Sequence, residues 1–323
     1  MHFLADSLGF LNLQGKPPVA DAGLKLDLAH VTSAPPWCKT TEDILKAHNS
    51  FKECILSQDQ LYPVLRSADL NRDEGTGVIF GLQSPPYDGG EASIRRLYDA
   101  GVRIMQLAYQ ENSPYGGGFL EPERDLSPTG REFILFCLQN KIIVDLSHAS
   151  HLTVRSALKV ARRGVFVSHT GCYDVYRHYP NPHPTAGLRN LPDDLLRGIV
   201  DKGGVVGLYT LTFALHPEDD SIEPFFQHLD HLIGVCGENA VAVGSDGVYV
   251  YQDPEVAAKQ FGFMKDKLDP AGEMGARFPD QPMVLNSPKR MEYLFEAISE
   301  RYSVAIAEKV CGKNLRRFFL ENL

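Results

Sequence analysis

From about residue 76 onward, short β-branched runs alternate with amphipathic stretches. GVIFGL (77–82) predicts a strand, and EASIRRLYDAG (91–101) a helix closed by a glycine. VRIMQLAY (102–109) predicts the next strand, and beyond a Gly/Pro-rich loop a helix runs from Ser127 to Asn140. KIIVDLSH (141–148), GVFVSH (164–169), GVVGLYT (204–210) and NAVAVGSD (239–246) predict further strands. Between them, HLTVRSALKVARR (151–163), LPDDLLRGIVDKG (191–203) and PFFQHLDHLIGVCG (224–237) predict helices. Pro192 near the first turn and Gly203 past the last fit the usual asymmetry of helix ends. Strands that are apolar throughout and alternate with helices predict a parallel sheet covered on both faces. Two more strands near HFLADSLGFL and GLKLDLAHV bring the number to eight. Eight favours an α/β fold of the (β/α)8 TIM-like barrel type over an open doubly wound sheet, and no GxGxxG follows the first strand. Residues 1–323 read as one barrel domain. Loops at 110–126, 170–188 and 247–288 are long for this architecture and are expected to act as lids.

Composition narrows the classes of function. The 323 residues are 43% apolar and 23% charged, with a net charge of −9, which is ordinary for a soluble globular protein. The chain has no Lys/Arg run, so nucleic acid is not an expected partner. No stretch approaches 18 continuous apolar residues. The start, MHFLADSLGFLNL, lacks a basic region and a small-residue cleavage site, so no signal peptide or membrane anchor is read and a cytoplasmic location is expected. Six cysteines are scattered without a CxxC pair and read as core thiols.

The active site of a parallel barrel lies at the carboxyl ends of its strands. There KIIVDLSH delivers His148, GVFVSH delivers His169 and NAVAVGSD delivers Asp246. Neutral imidazole nitrogen and carboxylate oxygen are the ligands with which a zinc hydrolase activates water. These three residues therefore predict a metal or polar catalytic site.

Five phrases extend the pattern: LSPTGREFILFCLQNKIIVDLSHAS, VFVSHTG, RNLPDDLLRGIV, HLDHLIGVCGENAVAVGSDG and CGKNLRRFF. On these, the chain from about Gly77 to its C-terminus resembles the membrane (renal) dipeptidases, zinc peptidases built on a metallo-dependent-hydrolase barrel. The resemblance implies that His148 and His169 bind the second zinc, that Arg189 holds the substrate carboxylate, and that Asp246 stands beside the activated water and the substrate amine. It implies a dipeptide-like substrate and a homodimer. It also marks losses. ADSLGF lies over the family's DGHND-like phrase, with Leu8 and Phe10 where the first zinc's histidine and aspartate belong. Gln83 replaces the bridging glutamate, and Tyr109 replaces a substrate-binding histidine. Leucine and phenylalanine offer no lone pair, and a neutral amide bridges two Zn²⁺ poorly. The binuclear site reads as dismantled, with one zinc ion at most and Gln83, Tyr109 and Arg189 left to meet substrate.

Other polar residues have plainer readings. His2 with Asp6, and Asp27 with His30, are the alternatives for the missing ligands, although neither pair has the family spacing. His228 and His231 read as capping or surface residues and Cys172 as an inert thiol. His178 and His183 lie in a proline-rich loop that is either a linker or a lid. Tyr173, Tyr176 and Tyr179 either line a pocket or pack, and Trp37 carries no specific signal. Two readings of function follow: a one-metal hydrolase of dipeptides or small N-acyl amino acids, with Asp246 as base, and a pseudoenzyme that binds a small carboxylated ligand or a protein partner. A third, metal-free acid–base chemistry through Tyr109, Asp246 and a histidine, has no substrate to suggest it.

Overall fold

The apolar runs fold as strands, shortened at their ends. The computed structural model describes residues 2–11, 23–72 and 74–323. Among them are β1 (Ala5–Asp6), β2 (Leu28–Thr32), β3 (Thr76–Leu82), β4 (Val102–Gln106), β5 (Ile143–Asp145), β6 (Val165–Thr170), β7 (Val206–Leu208) and β8 (Val241–Val243). They pair in parallel in chain order. The Ser7 N–H, just after β1, donates to the Val243 carbonyl at 2.9 Å. First and last strands thus meet, and the eight described strands form a nearly closed (β/α)8 barrel.

Helices cover the outside: α1 (Thr41–Leu56), α2 (Glu91–Ala100), α3 (Pro128–Gln139), α4 (His151–Val160), α5 (Asp193–Asp201), α6 (Glu223–Cys236), α7 (Pro254–Leu268), α8 (Arg290–Arg301) and α9 (Asn314–Asn322). Thr40, Ser127 and Ser150 each accept the N–H three residues on, the usual way to satisfy a helix's first free donors. Among the described residues no helix is long and apolar enough to cross a membrane.

The long segments differ from expectation. Residues 247–288 hold α7 rather than a continuous loop. Its sequence, PEVAAKQFGFMKDKL, leaves Val256, Phe263 and Met264 exposed while Phe261 is buried, so no single apolar stripe announced it. Residues 170–188 contain two short helices, Tyr173–Tyr176 and Pro184–Leu188. The loop at 110–126 is pinned, because Phe119 N–H donates to the His148 carbonyl at 2.8 Å.

Side chains alternate along a strand, and the inward positions stack in layers. The lowest is apolar, with Ala5, Leu28, Ile79, Ile104, Ile143, Phe166, Val205 and Ala242 packed together with Leu315, Phe318 and Phe319 of α9. Two residues further along each strand come Ser7, His30, Gly81, Gln106, Asp145, Ser168, Gly207 and Gly244. A barrel interior is ordinarily filled by bulky branched side chains; this second layer is polar and contains three glycines. The glycines make the room. A Cβ on Gly81 would lie 2.1 Å from His30 Nε2, and one on Gly207 would lie 2.0 Å from the Ser168 carbonyl oxygen.

Candidate active site

The site stands on that polar layer. After β5, Ser147 donates its N–H at 3.0 Å and its hydroxyl at 2.7 Å to Asp145 Oδ1. This turns the chain and leaves His148 with a φ of 65°, in the left-handed region that few non-glycine residues occupy. At the end of β6 the pairing with β7 shifts register between Val167 and Thr170, the stretch that holds His169. Asp246 has a φ of 52°, and its N–H donates to the Leu8 carbonyl at 2.9 Å. Strained backbone at two candidate residues is the kind that surrounding structure must hold in place.

The side chains converge. His148 Nε2 lies 3.0 Å from His169 Nε2, and Arg189 Nη2 lies 3.1 Å from His148 Nε2. Arg189 Nη1 donates to the His169 carbonyl at 3.3 Å, and its guanidinium stands over the rings of Phe119 and Tyr209, 5.9 and 5.3 Å from their centroids. Gln83 Nε2 is 3.5 Å from His169 Nε2, and Asp246 Oδ2 is 4.0 Å from the same nitrogen. The half-buried Tyr109 tilts its ring against His148, with centroids 4.4 Å apart. All six candidate residues therefore border one small volume. Sequence reading missed Phe119 and Tyr209, because aromatic residues in a barrel carry no signal that separates a site from a core.

Electrostatics follow from burial. Burial, then the positive charge of Arg189, holds His148 and His169 well below the usual imidazole range, so both rings are neutral at physiological pH with lone pairs to offer. Burial pushes the Tyr109 phenol up to about 12, which keeps its proton in place. Burial also raises the Asp246 carboxyl to about 6, against the pull of Arg189. A carboxyl raised on folding carries no penalty below about pH 4, where both states are protonated. It loses stability as pH rises through that window, and the full penalty is present above about pH 6. Asp246→Asn should therefore raise stability above about pH 6 by about 3 kcal/mol and leave it nearly unchanged near pH 4. Thermal melts at the two pH values check this; an equal shift at both would show that burial of the charge is not the cause.

The other candidates lie elsewhere. His2 contacts Glu308 and stacks on Phe295. Asp6 is buried and accepts from Ser245 Oγ at 2.5 Å and Tyr249 Oη at 2.6 Å. Asp27 accepts from Leu4 N–H at 2.7 Å. His30 lies in the second layer with Nδ1 2.6 Å from the Ser7 carbonyl. His228 is a buried hub rather than a surface residue, since its two nitrogens contact the Cys172 N–H and the Leu215 carbonyl, each at 2.9 Å. His231 pairs with Asp193 at 2.6 Å. His178 Nδ1 is 2.6 Å from the Asp174 carbonyl, and His183 packs against Gly275. Cys172 is buried, with its thiol pushed well above the usual range by desolvation. Tyr173 packs on His151, Tyr176 bonds to the Phe213 carbonyl and Tyr179 to Gln227. Trp37 is exposed, with Lys267 over its ring.

His148 and His169 are the pair whose spacing could suit a metal ion. Two imidazole nitrogens on one tetrahedral zinc stand roughly 3.3 Å apart, close to the 3.0 Å between His148 Nε2 and His169 Nε2. Among the described residues no group of three or more His, Cys, Asp or Glu side chains is placed to hold a metal, so an ion on this pair would complete its shell from solvent or ligand. Leu8 is buried and Phe10 half-buried, and neither has a donor atom in its side chain.

Two histidines, an arginine and a carboxylate gathered beyond the carboxyl ends of the strands of a parallel (β/α)8 barrel stand where barrels of this class carry their active sites. The family described as Membrane dipeptidase (Peptidase family M19) matches residues 24–253, and the chain belongs to that family. It is similar to two uncharacterized dipeptidases of Schizosaccharomyces pombe. One is 32% identical over 164 residues, 49% of this chain and 38% of that protein. The other is 33% identical over 178 residues, 52% of this chain and 40% of that protein. The matched stretch thus spans about two fifths of the length of these relatives. Among solved structures, an amidohydrolase from Pseudomonas aeruginosa has a TM-score of 0.80 at 21% identity, covering 99% of this chain and 96% of that one. A metallo peptidase from Rhodobacter sphaeroides, liganded with a phosphinate mimic of the dipeptide L-Ala-D-Ala, has a TM-score of 0.73 at 17% identity, covering 99% of both chains. At these identities the likeness is one of fold.

Proposed function

We propose that this chain acts on dipeptides or related small N-acyl amino acids, with at most one divalent metal ion on His148 and His169. The observation that carries the reading is the convergence of two neutral imidazole nitrogens, 3.0 Å apart, beneath Arg189. A divalent cation there would supply the Lewis acidity such hydrolases apply to a water molecule. The chain's own residues do the rest. Arg189 gives up its contact with His148 and takes the ligand carboxylate as a two-pronged donor. Asp246, raised to about 6, is ionised at neutral pH and close enough to its midpoint to accept a proton and return it. Phe119 and Tyr209 exclude water around the guanidinium. Gln83 orients a ligand through its amide, and the protonated Tyr109 hydroxyl donates to it.

A second reading, a pseudoenzyme that binds the carboxylated ligand without turnover, is favoured by Leu8, Phe10 and Gln83 at the first-metal and bridging positions. Metal content per chain, measured by elemental analysis after zinc loading and desalting, separates the two. One zinc, lost in His169→Ala together with dipeptide hydrolysis, supports the hydrolase. No zinc in a protein whose melting point still rises with dipeptide supports the binder. Two zinc ions per chain would overturn both.

A further inference from the structure

Asp145, in the polar layer, is fully buried and accepts five hydrogen bonds. They come from the Ser147 and Ser168 N–H groups, both hydroxyls and the Gln106 amide, at 2.6–3.0 Å. Ser168 Oγ is 2.6 Å from Asp145 Oδ2 and 2.6 Å from His169 Nδ1. A hydroxyl has one proton to give, and a carboxylate takes it in preference to a neutral imidazole because a charge-assisted bond is the stronger. Ser168 therefore donates to Asp145, and its remaining lone pair must accept from His169 Nδ1–H. That leaves the lone pair of His169 on Nε2, the atom facing His148, Gln83 and Asp246. His148 has no such support, because its Nδ1 is buried without a partner among the described residues. The two histidines are therefore unequal. One is wired from behind through a serine to a buried carboxylate; the other has no partner behind it.

From this we infer that Ser168, anchored by Asp145, is a positioning residue that locks His169 in its Nδ1–H tautomer and aims its Nε2 lone pair into the site. Any bearing on metal affinity rests on the function proposed above; the tautomer does not. A partner behind a ligating histidine fixes ring and tautomer, and its loss commonly weakens metal binding 10–100-fold.

Long-range ¹H–¹⁵N correlation spectra of metal-free, ¹⁵N-histidine-labelled protein read the tautomer directly, with His169 assigned from the signal lost in His169→Gln. The wild type should show His169 protonated on Nδ1 alone. Ser168→Ala should release it to a mixture of tautomers and lower zinc affinity about 10–100-fold, while Ser168→Thr, which keeps a hydroxyl, should restore the single tautomer. Wild-type His169 protonated on Nε2 would overturn the inference even if neither Ser168 variant folds, and so would a Ser168→Ala protein with tautomer and zinc affinity unchanged. Failure to take up zinc, with His169 still protonated on Nδ1, would refute the metal reading and uphold this one.

Discussion

Gly244→Ala should cost roughly 3 kcal/mol or more and leave little folded protein at growth temperature. A Cβ there would lie 1.9 Å from the Ser168 carbonyl oxygen and 2.6 Å from Ser7 Oγ, well inside any tolerated contact. The carbonyl cannot retreat, because it accepts the Ser7 hydroxyl at 2.5 Å and belongs to the strand that carries His169. Relief would need β6 and β8 to part, opening the polar layer and leaving buried donors unpaired, the costly form of overpacking. Gly262→Ala is the control. Gly262 lies in the exposed middle of α7, where an added Cβ meets nothing within 4 Å, and replacing it should stabilise the protein by about 0.5–1 kcal/mol. Denaturant melts of both variants decide the matter. A Gly244→Ala protein as stable as the wild type would mean that the polar layer is loosely packed.

Arg189→Met should reduce kcat/KM for a dipeptide by about 100-fold, or raise Kd as much if the protein binds without turnover. Truncating one member of a buried, hydrogen-bonded charge pair costs about 2–5 kcal/mol, and about 1.4 kcal/mol is tenfold. The sharper readout is discrimination. The wild type should prefer a free carboxylate to the matching C-terminal amide, and the variant should treat the two alike. Arg189 also depresses both imidazoles, so removing it should make His148 and His169 easier to protonate. An unchanged preference for the carboxylate would show that another group reads that end of the ligand.

The barrel was legible because its strands are buried on both faces and read as unbroken apolar runs between helices. Their ends were not. VRIMQLAY, KIIVDLSH and NAVAVGSD keep an apolar rhythm past the last ladder bond, while the chain has already left the sheet at Gln106, Asp145 and Val243 to build the site. The helix at 254–268 was hidden by apolar residues spread around its axis, and α1, α8 and α9 fell in stretches where no element was expected. At the site, the residue types at strand ends pointed to His148, His169 and Asp246, and the family resemblance added Arg189, Tyr109 and Gln83. The layer beneath them was not foreseen, since serine and glycine two positions after an apolar residue look the same in any strand. One signal was available: Ser-His occurs at the ends of two successive strands, 147–148 and 168–169, and both serines bond to Asp145.

Gly247–Val248 pairs in parallel with Gly9–Phe10, and Asp246 and Tyr249 donate to the carbonyls of Leu8 and Phe10 at 2.9 and 3.0 Å. What residues 8 and 10 give Asp246 and Tyr249 is main chain, which is the same for nearly every amino acid. Mutation could therefore rewrite those two side chains through a lineage's history while Asp246 kept its seat. The ribbon thus keeps its two sides apart: the side chains at 8 and 10 can change while the acid opposite keeps its main-chain partner.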